Sequence, residues 1–104
     1  MKESVKPGTV GEESFVVGKE HLIDFVHDGM PEILCTPSLV WFLEHAARNA
    51  VLPVLEQGES TVGVVVNVQH LAATPLGEKV ACRARVISVD GTQVSFQLEA
   101  HDEH

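Results

Sequence analysis

Four residues have side chains or spacing suited to acyl and proton-transfer chemistry. His70 is the first, because an imidazole titrates near neutrality and can move protons. It closes a run in which Val62, Val64, Val66 and Val68 alternate with Thr61, Gly63, Asn67 and Gln69, Val65 excepted, so it is expected on the valine face, toward the helix side of the sheet. A histidine at the edge of a core, bonded to a backbone carbonyl, would leave the same signature. Glu44 is the second. Val40, Ala47 and Val51 flank it on one side of a helical wheel and Arg48 on the other. A carboxylate half-buried at such a seam can serve as base or nucleophile with a raised pKa. A solvated glutamate paired with Arg48 four residues on is the alternative.

Thr36 and Gly63 complete the set. Thr36-Pro37 is a helix start signal, since threonine is a favoured N-cap and proline is tolerated in the first turn. The threonine hydroxyl could instead face a substrate, where the helix N-terminus favours developing negative charge. Gly63 interrupts a valine-rich stretch. Glycine weakens a strand unless a bulge or a closely approaching ligand needs the space, and its N–H could then donate to a ligand carbonyl.

Other candidates carry less. His101 and His104 lie in His-Asp-Glu-His at the chain end, where nothing fixes a metal geometry, and no metal is expected. His21, His27 and His45 read as surface residues. Cys35 beside Thr36 has no base implied nearby and reads as a packed thiol.

These residues must be held by a small scaffold. The chain has 104 residues and reads as one domain over 1–104, with polar residues 1–13 as a mobile lead-in. Ser14 to Gly18 looks like a first strand, and Gly29 and Pro31 mark turns in an irregular stretch over 19–35. Helical periodicity holds from Ser38 to about Leu52: at about 100° per residue, Leu39, Val40, Leu43, Ala46, Ala47, Ala50 and Val51 gather on one arc. Three stretches with period two follow, over residues 62–68, 80–86 and 94–100, and Asp90-Gly91 signals a tight hairpin between the last two. One strand, one long helix and three antiparallel strands make an α+β layout, with the helix covering the apolar face of the sheet.

Composition excludes several functions. The net charge of −8 opposes binding to phosphate backbones, so nucleic acid is not expected as a partner. Arg48, Lys79, Arg83 and Arg85 are the candidates to offset that charge for any anionic ligand. No apolar run approaches the roughly 20 residues needed to cross a bilayer, and no secretory signal is seen, so no membrane partner is expected. Cys35 and Cys82 make no disulfide framework, which points to the reducing cytoplasm.

Taken together, Cys35-Thr36-Pro37, Trp41-Phe42-Leu43-Glu44-His45-Ala46, Val62-Gly63 and Gln69-His70-Leu71-Ala72-Ala73-Thr74-Pro75 resemble the fluoroacetyl-CoA thioesterase branch of hotdog-fold acyl-CoA thioesterases. That family has a threonine before the long helix, a glutamate eight residues later, and a histidine before Ala-Ala-Thr-Pro with a glycine seven residues ahead of it. The matching positions are Thr36, Glu44, His70 and Gly63, and the resemblance runs from about Ile33 to Asp102. It implies a hotdog fold, with one long helix packed on a curved antiparallel sheet. It also implies a homodimer with acyl-CoA sites at the subunit interface and no cofactor beyond the CoA of the substrate. Thr36, Glu44 and His70 are the implied catalytic residues.

Two departures follow from the same comparison. The fluoroacetate-specific member has a phenylalanine-rich lid, whereas residues 28–34 here contain no phenylalanine and Met30 takes one of those places as a substrate-binding residue. The resemblance therefore implies the reaction but not the fluoroacetyl group. Family members also continue past Ala-His-Asp into a further strand, so the sheet is expected to lack its last strand or the sequence to be truncated at His104. The expected reaction is hydrolysis of a small acyl-CoA. The rivals are a non-catalytic acyl-CoA-binding hotdog module, a hotdog hydratase or dehydratase, and a structural partner protein.

Overall fold

Strict alternation along the C-terminal half of the chain builds its longest hairpin. In a computed structural model, which describes residues 5–23 and 32–103, strand β2 (Lys79–Asp90) turns through Gly91 and Thr92 into strand β3 (Gln93–His101). Gly91 has φ +60°, a conformation that costs glycine nothing, so the two central residues are Gly91-Thr92, one position later than expected. The ladder slips between Val86 and Ser88, where β2 carries one extra residue, Ile87, which faces solvent.

Strand β1 (Val10–Val16) pairs antiparallel with the other edge of β2, giving the order β1-β2-β3. It starts earlier than the expected Ser14 and recruits residues read as a lead-in. Val5 is also buried, against Ala50, Val51 and Val86, and the Gly8 N–H bonds the Val86 carbonyl at 2.7 Å. Polarity suggested looseness here, but one buried valine and backbone bonds to β2 hold the segment.

Helix α1 (Thr36–Val51) covers the sheet as expected. Its buried face is Leu39, Leu43, Ala46, Ala50 and Val51, which meets Phe15, Val17, Val80, Cys82, Ala84 and Val86. Each large side chain so buried contributes roughly 1.5–3 kcal/mol. The helix approaches β1 so closely that a Cβ on Gly11 would collide with the Ala46 carbonyl oxygen and the Ala50 nitrogen. Asn49 locks the same contact by donating from Nδ2 to the Glu12 carbonyl at 2.7 Å.

The stretch over 62–68, expected as a strand, forms no ladder among the described residues. It runs beside the helix with Val62, Val64 and Val65 more than four-fifths exposed. Its alternation is real, but among the described residues it pairs with none of the three strands. The sheet therefore has three strands here rather than four.

Candidate active site

The loop after the valine stretch brings His70 to the mouth of the helix. Leu34 donates to the Thr74 carbonyl at 2.8 Å, Leu76 donates to the Glu32 carbonyl at 3.1 Å, and Ile33 bridges Pro75. Thr74, the buried polar residue of the core, donates its hydroxyl toward Asp102 at 3.4 Å. Residues 74–76 are thus tied to residues 32–34, just ahead of Thr36. With that anchor set, His70 Nδ1 lies 2.8 Å from Thr36 Oγ1. The hydroxyl donates to an unprotonated Nδ1 and accepts from a protonated one.

Thr36 is free for this contact because it does not cap the helix. Cys35 occupies the N-cap position with no side-chain cap bond, and Thr36 is already the first helical residue. The N-cap expectation is thus one residue out, and it releases the hydroxyl for His70.

Glu44 makes a different contact. Its carboxyl atoms lie 3.1–3.2 Å from where a Cβ on Gly63 would stand, so the missing side chain leaves the space that the carboxyl fills. Glu44 is exposed rather than half-buried, and among the described residues it forms no ion pair with Arg48. Eight residues separate Thr36 and Glu44, about 12 Å of helix rise. One chain therefore brings together two pairs, Thr36 with His70 and Glu44 with Gly63, at the two ends of one seam between helix and valine stretch.

Met30 lies outside the described residues, as does His27. Val65 is exposed, and the Phe42 ring stacks on Phe15 at 3.8 Å between centroids. His21 is not a surface residue. Its ring packs edge-on against Phe15 and Phe42, and its Nδ1 accepts from the Gly18 N–H at 2.9 Å. With Ser38, Trp41 and Phe42 it lines a cavity of about 230 Å³ on the β1 side of the helix. No sequence periodicity marked it, because His21 lies in a short 3-10 turn over Lys19–His21. His45 stacks on Trp41. Cys35 Sγ bonds Ser38 Oγ at 3.1 Å, and burial pushes the Cys82 thiol up to about 11, with Glu13 adding to the shift. His101 contacts Glu99 at 3.4 Å, and no metal-binding cluster occurs among the described residues.

The family model for fluoroacetyl-CoA-specific thioesterases matches residues 17–104. The chain belongs to this family.

Two relatives give the match its extent. The fluoroacetyl-CoA thioesterase of Streptantibioticus cattleyicolor is 32% identical over 108 residues, covering 98% of this chain and 78% of the relative. A solved fluoroacetyl-CoA thioesterase superposes with a TM-score of 0.87 at 31% identity, over 97% of this chain and 79% of that one. A variant of that enzyme has been solved with fluoroacetate and CoA. A hot-dog-like protein from Thermanaerovibrio acidaminovorans shares the fold at 24% identity and a TM-score of 0.83, over 94% of this chain and 73% of that one. The helix on a three-stranded antiparallel sheet is accordingly a hotdog fold, and the chain is a thioesterase, a hydrolase.

Proposed function

We propose that this thioesterase hydrolyses a short acyl-CoA to the free acid and CoA, with no cofactor, and that Thr36, Glu44 and His70 carry the reaction. The observation that carries this reading is the 2.8 Å contact between Thr36 Oγ1 and His70 Nδ1 at the mouth of the helix.

A thioester is an activated carbonyl with a good leaving group. The site needs a nucleophile, a donor for the oxyanion and a proton for the thiolate. The thioester lies along the seam, between Thr36–His70 and Glu44. Glu44, seated against Gly63, takes a proton from a water that attacks the carbonyl carbon. The Gly63 N–H polarises the carbonyl oxygen. When the tetrahedral adduct collapses and the C–S bond breaks, His70 delivers its proton through the Thr36 hydroxyl to the departing sulfur. The space between the base and the acid is what a substrate and a water require.

The same proposal includes a homodimer. The valine stretch is a strand-like segment without a ladder, and pairing it with a second copy would satisfy its backbone and cover its valines. Met30 is kept in the same proposal as a substrate-binding residue, on the family resemblance alone. The two thiols, Cys35 and Cys82, are both free, which suits a reducing cytoplasm. No helix among the described residues is long and apolar enough to cross a membrane.

A panel of short, branched and aromatic acyl-CoAs, followed by release of free thiol, tests the reading. Wild type should turn over at least one short acyl-CoA, and Glu44→Gln and His70→Ala should each lose at least about 100-fold. Binding of every substrate with no thiol released would overturn it in favour of a binding module.

A further inference from the structure

Glu44 and Arg48 have the i,i+4 spacing and the order that favour an ion pair on a helix, yet among the described residues they form none. Glu44 turns instead to Gly63, and Arg48 stands exposed with no acidic partner among the described residues. That is notable in a chain with 15 acidic and 7 basic residues. The other basic residues lie elsewhere. Arg83 faces Glu12 at 3.9 Å. Lys79, Arg83 and Arg85 alternate with the buried residues of β2 and so face away from the helix. Lys6 and Lys19 sit on the connections flanking β1. Arg48 alone is carried by the helix that carries Thr36 and Glu44.

We infer that Arg48 binds the diphosphate of the CoA moiety. The inference rests on the acyl-CoA reading above and specifies how that substrate is held. From thioester carbon to first phosphorus, the pantetheine arm spans roughly fourteen bonds, about 17 Å when extended at about 1.2 Å per bond. A carbonyl midway along the seam lies near the level of Val40. Arg48 is eight residues further on, about 12 Å along the axis and partly around the helix. With the sulfur facing Thr36 the arm turns back along the helix, and its roughly 17 Å exceeds the roughly 12 Å rise, so it still reaches the guanidinium past Glu44. A guanidinium matches a phosphate pair through paired N–H donors, and an arginine lacking its own carboxylate is open to them.

The test is titration calorimetry of CoA, dephospho-CoA and pantetheine, with wild type, Arg48→Ala, Arg48→Lys and Arg85→Ala. Wild type should bind CoA and dephospho-CoA more tightly than pantetheine. Arg48→Ala should weaken both nucleotides about tenfold and leave pantetheine within twofold. Arg48→Lys should recover part of the loss, and Arg85→Ala should change nothing. An equal effect on pantetheine, or no effect on CoA, would overturn the assignment. Sensitivity to Arg48 for CoA but not for dephospho-CoA would overturn the choice of the diphosphate over the 3′-phosphate. Acetyl-CoA hydrolysis by the same wild-type sample reports separately on the reaction. A protein that binds CoA through Arg48 but releases no thiol would refute the thioesterase mechanism alone.

Discussion

Thr36 and His70, 34 residues apart in sequence, are hydrogen-bonded at 2.8 Å across the start of the helix. The contact depends on the tie between residues 74–76 and 32–34, which returns the chain to the helix mouth. His70→Ala should therefore lower kcat by about 100- to 10,000-fold, the usual contribution of one acid–base group. His70 is only partly buried, so the melting temperature should move little. Thr36→Ser should keep most of the activity and Thr36→Val should lose it. Activity in the histidine variant within a few-fold of wild type would remove His70 from the mechanism.

Gly63 and Gly11 are both glycines facing the helix, yet substitution should separate them. A methyl group on Gly63 meets the Glu44 carboxyl at 3.1 Å, and that carboxyl is the end of a flexible, exposed side chain. Gly63→Ala should leave stability nearly unchanged while displacing Glu44 and reducing turnover. Paired melting and kinetic measurements decide it.

At Gly11 the neighbour is helix backbone, which cannot step aside. Gly11→Ala should cost about 3 kcal/mol or more, at the upper end for overpacking. In a domain of this size that corresponds to a fall of roughly 12–24 °C in melting temperature. Scanning calorimetry should show it.

The two thiols should differ in reactivity. The Cys82 thiol is buried in the core and pushed up to about 11, so it stays protonated at mildly alkaline pH, whereas Cys35 is only partly covered. At about pH 8, Ellman's reagent should titrate one thiol in the native protein and two after denaturation. Because the folded state raises this pKa, the stability tied to the neutral thiol is present below the ordinary thiol range and is lost as pH rises through about 11. Denaturant melts of wild type against Cys82→Ala should show the variant losing less stability over that window.

The exposed valines make a further prediction. Sedimentation should find a dimer, and replacing Val62 and Val64 together with aspartate should shift it to monomer and abolish hydrolysis. Aspartate in a strand that pairs with a second copy brings like charges close together. A wild-type monomer with full activity would defeat the dimer proposal.

The helix, the C-terminal hairpin and the first strand were legible because apolar spacing reports which face a core covers. Leu39, Leu43, Ala46 and Ala50 lie on the expected arc, and Val80, Cys82, Ala84 and Val86 alternate as expected. The valine stretch shows where periodicity stops informing. Period two says that alternate residues share a face, but it names no pairing partner. Val5 was missed because a single apolar residue in a polar stretch has no period. Thr36, Glu44 and His70 were grouped only through the family resemblance, and the direct bond from Thr36 to His70 was not legible, because it depends on the tie between residues 74–76 and 32–34. The two-turn spacing between Thr36 and Glu44 was available from sequence arithmetic. How far their side chains close that distance depends on where the valine stretch lies, which periodicity does not specify.

The flush contact of Gly11 with Ala46 and Ala50 works as a keyway. A cylinder can roll on a flat surface, and each residue of error would swing the helix by about 100°. Three small residues in mutual contact leave one azimuth at which strand and helix seat fully. That fixes the bearing of Thr36, Glu44 and Arg48 around the helix. A bulkier residue at any of the three would be felt first as a rotation of the reactive groups. Tolerated change there should therefore come as coordinated substitutions rather than single ones.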